Sequence, residues 1–263
     1  MNINKIYHLS RYEVVRSLLN AEYQKGNKKL LELGTSSGDL AYQLKNDGFD
    51  VVGTGLELDS KKFKYHDTIK FITADLDKEF PFEKASFDII IGLEITEHLE
   101  NVQGFVRMLS YTLRDNGVLI LSTPNILNIL SRLRFLFEGS YNFFKEPPLD
   151  VEKNPKVSPE SMHIYPVRFH ELELFLYRNN MLVEQIATCD TKRYLKLNPF
   201  LLMLRLLSYC QMSAKAFRSK RKGGYDYYHL RNLLLSDELF FGKHLIVKAR
   251  KTQGITSLNP EDS

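Results

Sequence analysis

Lys29-Leu-Leu-Glu-Leu-Gly-Thr-Ser-Ser-Gly38 joins an apolar run of strand length to a loop that carries glycine at both ends. Leu40, Ala41 and Leu44 follow at helical spacing, so the pattern predicts a strand, a tight turn and a helix. Glycine removes the Cβ that would hold a ligand off. Such a turn therefore lets backbone N–H groups and the positive end of a helix dipole approach a nucleotide-like cofactor. The spacing is Gly-x-x-x-Gly rather than the Gly-x-Gly-x-x-Gly of dinucleotide folds, and on these residues alone a plain turn explains it equally well.

Working outward, residues Lys5 to Tyr23 read as an amphipathic helix, with Leu9, Val14, Val15, Leu18 and Leu19 opposing Arg11, Glu13 and Arg16, placed as a lid or flank. Downstream, strands are expected at Phe49–Gly55, Ile69–Ala74 and Gly117–Ser122, and a helix over Val102–Leu113. Phe87–Leu93 is a near-continuous apolar run, the pattern of a parallel strand buried on both faces. Strands alternating with helices imply βαβ units in a doubly wound α/β sheet. Right-handed crossovers then collect 34–38, 55–59, 75–77, 93–98 and 123–125 on one sheet edge, where ligands of such sheets bind.

The second half is less regular. A helix is expected at Ile126–Phe137, a long Pro-, Asn- and Ser-rich loop over 139–166, a helix at Val167–Asn180, and strands at Leu182–Ala187 and His244–Ala249. Between Thr191 and Gly224 lie nine basic residues (Lys192, Arg193, Lys196, Arg205, Lys215, Arg218, Lys220, Arg221, Lys222) and no acidic one, which leaves the remainder at −5 against an overall +4. Charge so localised suits phosphate, an acidic glycan or an anionic membrane surface, or a solvated basic face. Within it Phe200–Leu207 is apolar nearly all round except Arg205, a composition that fits a helix lying in a membrane interface or a lid packed on the domain or on a second subunit.

At 43% hydrophobic and 26% charged residues, 263 residues suffice for one sizeable α/β domain with an insert. Cys189 and Cys210 offer neither metal spacing nor a disulfide framework, and the N-terminus lacks an apolar h-region. The expected location is cytoplasmic, with the inner membrane face as a peripheral site. No metal is expected.

The ordered runs Leu-Leu-Glu-Leu-Gly-Thr-Ser-Ser-Gly-Asp, Val-Val-Gly-Thr, Ile-Thr-Ala-Asp-Leu-Asp, Ser-Phe-Asp-Ile-Ile-Ile-Gly-Leu-Glu-Ile-Thr-Glu-His-Leu-Glu-Asn and Asn-Gly-Val-Leu-Ile-Leu-Ser-Thr-Pro-Asn, between Leu30 and Asn125, resemble class I S-adenosylmethionine-dependent methyltransferases. The bacterial branch akin to ubiquinone-biosynthetic and cell-surface-polysaccharide methyltransferases is the nearest in pattern. The resemblance implies a Rossmann-like seven-stranded sheet with the last strand antiparallel. Together with the patterning above, the expected division is a flanking helix (1–27), a cofactor-binding core (28–190), a helical basic insert (191–241), the last core strand (242–251) and a polar, disordered tail (252–263).

The resemblance also implies roles. Glu32, Gly34, Thr35 and Gly38 match the loop under the cofactor's methionine and ribose, although Glu32 could equally cap its own loop amides. Asp75 and Leu76 match the adenine position, and Asp75 alone could be a turn residue. The family's ribose-binding acid aligns with Gly55, a departure that shifts the expectation to Glu57, followed by Asp59. Glu94 is assigned to the cofactor and Glu97 and His98 to catalysis, with His98 taking a substrate proton and an adjacent carboxylate fixing its tautomer. In-line positioning of a strong electrophile could also suffice without a base. His163 is the substrate-side candidate, whereas His170 and His244 look structural.

Ser-Thr-Pro-Asn with its following helix, and His-Ile-Tyr-Pro, point by resemblance to methyl transfer onto an oxygen of a saccharide or lipid-linked glycan of the bacterial envelope. The alternatives are a quinone or lipid phenol and a non-catalytic S-adenosylmethionine-binding protein. An RNA role for Lys215–Lys222 is disfavoured, because the accompanying aromatics (Phe217, Tyr225, Tyr227, Tyr228) serve a core as well. A homo-oligomer is admissible.

Overall fold

The computed structural model describes residues 10–57, 63–78, 80–144, 163–189, 191, 193–221 and 227–253. Asp59, most of the long loop, Lys192, Lys222, Tyr225 and nearly all of the tail lie outside these, as do Lys5–Leu9 of the first expected helix.

Seven strands form one sheet in the order β3-β2-β1-β4-β5-β7-β6: β1 Lys29–Leu33, β2 Asp50–Gly55, β3 Lys70–Thr73, β4 Phe87–Leu93, β5 Leu113–Pro124, β6 Met181–Ala187 and β7 His244–Lys251. β7 runs antiparallel to both neighbours and the other pairings are parallel, as the resemblance implied. β5 starts earlier than expected. Its first residue, Leu113, pairs with Phe87 across a register shift, so the turn-like Arg-Asp-Asn-Gly run is drawn into the strand.

Alternation along the central strands sorts the core into two faces. Leu31, Leu33, Ile90, Leu119, Leu121 and Val247 face α3 (Val102–Thr112) and α5 (Phe169–Arg178), which contribute Phe105, Leu109, Phe169, Leu172 and Leu176. Leu30, Ile89, Ile91, Val118, Ile120 and Ile246 face α1 (Arg11–Gln24) and α2 (Asp39–Asn46), with Val15, Leu19, Leu40 and Leu44. α1 opens with a Ser10–Glu13 capping box and is fastened at its far end by charge. There Glu22, fully buried, accepts from Lys248 (2.8 Å) and Arg250 (2.7 Å) on β7.

Between β6 and β7 come α6 (Arg193–Leu197), α7 (Pro199–Arg221), α8 (Tyr227–Leu234) and α9 (Asp237–Phe240). They share a small apolar cluster with α4 (Ile129–Glu138), built on Ile129, Leu201, Leu235, Phe240 and Phe241. Asn125, at the end of β5, fastens this region: its Nδ2 donates to the carbonyls of Glu238, Leu239 and Gly242 (3.2, 3.1 and 2.8 Å). Among the described residues no helix is long and apolar enough to cross a membrane.

Candidate active site

The loop after β1 is held in an unusual backbone. Gly34, Ser36 and Gly38 all have positive φ (62°, 50° and 81°), which turns successive amides toward a common side. A Cβ on Gly34 would lie 2.4 Å from Ile95 Cδ1, and one on Gly38 would lie 2.6 Å from the Phe63 ring. Thr35 points inward. Its hydroxyl donates to the carbonyl of Glu32 (3.1 Å) or Thr54 (3.2 Å) and accepts from the Thr54 amide (2.8 Å), pinning the loop to β2 directly over Gly53.

Beside this loop opens a cavity of about 600 Å³, lined at its floor and rims by Gly34, Phe63, Phe71, Leu76, Ile95 and His98 among others. Of the residues expected at the cofactor, Gly34, Glu57, Asp75 and Leu76 line it. Glu32, Thr35 and Glu94 do not: each is turned into the protein. The aromatic lining of Phe63 and Phe71 was not anticipated from the sequence, and Phe71 alone carried a signal, as a residue of an expected strand.

The cavity's charge discriminates among cofactors. Its ionisable groups are Glu57, Asp75, Asp77, Lys78 and His98, and the ammonium of Lys78 is bound to Asp75 at 3.0 Å. That bond, with the Asp77 amide, holds the Asp75 carboxyl below its ordinary range. Acceptors of this kind suit hydroxyls and amines and repel a diphosphate. The size falls within the ~300–1,000 Å³ typical of ligand sites. A nucleoside bearing a cationic amino-acid arm, which is S-adenosylmethionine, fits this lining.

Under the loop Glu32 is 5% exposed and its Oε2 meets no polar partner; burial pushes its pKa up to about 8, against a hydrogen bond from the Ala41 amide. It shares a strand face with Leu30 and is aimed toward α2.

The loop after β4 carries the remaining candidates. Glu94, with φ of 54°, is committed to three elements: its carboxylate accepts from Ser122 Oγ at 2.8 Å, lies 3.2 Å from His244 Nδ1 and 3.7 Å from Arg11 Nη1. Burial would raise its pKa, but His244, then Arg11 and Ser122, hold it below the usual value. His244 thus ties β7 to the site loop. Glu97 is fully buried at a single 3-10 turn, Thr96–His98. Burial, and then the charge of Glu94, raise its pKa to about 8; Thr96 and Thr123 hydroxyls lie 3.5 and 3.3 Å from Oε2.

His98 and His163 meet across this turn. The carbonyl of Glu97 accepts from the amides of Ile164 (2.8 Å) and Tyr165 (3.1 Å), and this docking sets the His163 ring edge-on to that of His98, centroids 4.8 Å apart. Burial, and then neighbouring His98, depress the His163 pKa. Glu97, His98 and His163 each offer a ligand atom, all within 4.8 Å of one another, a spacing that one divalent cation could bridge. His170 is half-buried on α5, away from this group.

A second cavity, of about 320 Å³, opens between α4 and α6 and is lined by Leu130, Phe143, Tyr194, Leu195 and Phe241, with Asn128, Asn142 and Lys243. Its wall leads back to the histidines: the Phe143 ring lies 5.4 Å from that of His244, and the Phe144 ring 5.4 Å from that of His163.

The chain is 30% identical over 141 residues to the ubiquinone biosynthesis O-methyltransferase of Pelagibacter ubique, covering 50% of this chain and 57% of that protein. With the enzyme of the same name from Rickettsia typhi it shares 28% over 130 residues, 47% of this chain and 52% of that one. The chain thus spans about half the length of these curated relatives. Among solved structures, a SAM-dependent methyltransferase from Archaeoglobus fulgidus superposes with a TM-score of 0.55 at 14% identity, covering 92% and 95% of the two chains, and shows a shared fold. A putative S-adenosylmethionine-dependent methyltransferase from Listeria monocytogenes does so at 0.51 and 13%, covering 86% and 91%. The family model described as a methyltransferase domain matches residues 7–173, well over half of the sequence, and the chain belongs to the S-adenosylmethionine-dependent methyltransferase family.

Proposed function

We propose that this chain transfers a methyl group to the hydroxyl oxygen of an apolar, lipid-phenol-like acceptor. One observation carries the choice of acceptor: the 320 Å³ cavity, joined to His163 through the Phe143–Phe144 segment, is walled by Leu130, Phe143, Tyr194, Leu195 and Phe241. A saccharide needs a dense set of hydrogen-bonding side chains; here the Asn128 amide is already bonded to the Asn125 carbonyl and the Ser131 amide, and the other polar lining is Asn142, Tyr194 and Lys243 beside an apolar wall, which favours the quinone-type acceptor over the glycan first expected from the sequence. The names of the curated relatives point the same way.

S-adenosylmethionine, when bound, supplies a methyl group on a sulfonium. The chain's own residues do the rest. Glu57 accepts from hydroxyls at the cavity rim, Asp75 and Leu76 bracket the base-binding end, and the left-handed loop at Gly34 allows close backbone approach. His98 faces the same cavity and accepts the acceptor's hydroxyl proton. His163, closing over His98, keeps water from that proton path.

A second reading rests on the spacing of Glu97, His98 and His163, which would let a divalent cation hold the acceptor oxygen. Incubation with labelled cofactor and either lipid extract or envelope saccharides tests the acceptor: label entering the lipid fraction supports the proposal, and label entering only saccharide sinks it. Repeating the assay after chelation, then restoring the metal, separates the two readings of His98.

A further inference from the structure

Helix α7 is apolar on two opposite sides. Its inner stripe, with Leu201, Leu204, Met212 and Ala216, packs against the body of the protein. Its outer stripe is Met203, Leu206, Cys210, Ala214 and Phe217, recurring at three- and four-residue steps and exposed throughout, with Leu206 61% and Phe217 57% accessible. Phe200 and Leu207 widen it. α4, which shares the cluster beneath α7, presents Leu136 and Phe137 at 73% and 80% exposure. An exposed apolar stripe such as that along α7 marks a docking site.

The charge beside the stripe selects the occupant. Arg218, Lys220 and Arg221 are exposed on the last turns of α7, and the sequence holds no acidic residue from 191 to 224. A second copy pairing through α7 would bring apolar stripes together but no carboxylate from this stretch to meet those cations. Lipid phosphates meet them directly, while the long stems of Lys and Arg lie along the apolar boundary. The helix is not apolar enough to cross a bilayer, which leaves it lying in the surface plane.

We propose that the outer stripe of α7 docks on an anionic bilayer surface. The apolar cavity is lined by the first turn of α4, through Leu130, and by α6, through Tyr194 and Leu195, the helix that leads directly into α7. Resting on the function proposed above, docking through α7 brings a lipid-borne acceptor beside the helix that lines that cavity. The docking itself stands without that reading.

Cys210 provides the probe, because it is exposed on the stripe whereas Cys189 is buried. The full chain labelled there with a polarity-sensitive dye is mixed with phosphatidylglycerol/phosphatidylcholine vesicles or with phosphatidylcholine vesicles alone. Three cations near the surface should make the anionic vesicles roughly a hundredfold the tighter partner, with a blue shift that fades as salt rises. Met203→Glu with Leu206→Glu should abolish flotation. Arg218→Glu with Arg221→Glu, on the exposed last turns, should remove the anionic preference and serves if the first variant does not fold. Flotation that survives both pairs, equal binding to both vesicles, or no vesicle binding together with a dimer seen by light scattering would each overturn the proposal. S-adenosylhomocysteine affinity is measured in the same samples: its absence beside intact vesicle binding would sink the methyltransferase reading and leave the docking in place.

Discussion

His163 is set edge-on to His98, 4.8 Å between ring centroids, because the Glu97 carbonyl between them accepts two amides from the segment that carries His163. Of the two, His98 lines the 600 Å³ cavity, and His163 is brought against it from a distant part of the chain.

Replacing His98 by Ala should lower kcat by ~10²–10⁴-fold while S-adenosylhomocysteine affinity stays within a few-fold, the signature of a lost proton acceptor. His163→Ala should lower kcat less and raise acceptor KM. Calorimetry with the cofactor product, run beside steady-state kinetics, checks both. An equal loss of cofactor affinity in His98→Ala would move that residue from acceptor chemistry to cofactor binding.

Gly34→Val forces a β-branched residue to φ of 62° and drives its Cβ to 2.4 Å from Ile95, a wall of the cavity. The left-handed backbone alone costs about 1–2 kcal/mol. Cofactor binding should vanish in calorimetry, with a lower melting temperature. Retained affinity would show that the loop is not the cradle.

The buried Glu22 carboxylate gives a signed pH dependence. Burial opposes its charge, yet hydrogen bonds from Arg250 and Lys248 lower its pKa from 4.5 to about 2. The unfolded chain therefore binds the proton first as pH falls. Stability from this group is complete above the unfolded value and is lost progressively as pH drops toward 2, on the order of 3 kcal/mol in all. Urea midpoints across that window should slope upward with pH, and Glu22→Gln should flatten the slope. An unchanged slope would count against the ion-pair cluster.

Asn125→Ala removes three donations to the carbonyls of Glu238, Leu239 and Gly242 and leaves those acceptors in a buried setting. A loss of about 2–4 kcal/mol is expected, concentrated at the end of the helical region before β7. Limited proteolysis should show faster cleavage between β6 and β7 than elsewhere.

The sheet was legible because its strands carry their own evidence. Phe87–Leu93 lies between turn signals and is apolar on both faces, and it forms β4 over that same span. The site was legible only where backbone demands glycine or where a loop follows a strand, as with Gly34, Glu57 and Asp75. Glu32 and Thr35 sit beside the right loop in sequence, but the pleat and the pin over Gly53 turn them inward, which spacing does not reveal. His244 looked structural; it reaches Glu94 only because the antiparallel β7 begins at the same sheet edge at which β4 ends. That relation, like the docking of Ile164 and Tyr165 on Glu97, exists only in three dimensions.

The antiparallel course of β7 has one more consequence. Ala187 on β6 stands opposite Ile246 on β7, and Thr188 donates to the His244 carbonyl at 2.6 Å, so both ends of the intervening helical region leave from adjoining rungs of the ladder. Such a region closes on itself. Its length can therefore change without altering the spacing of the strands that hold the glycine loop, provided its contacts with α4 and Asn125 are kept.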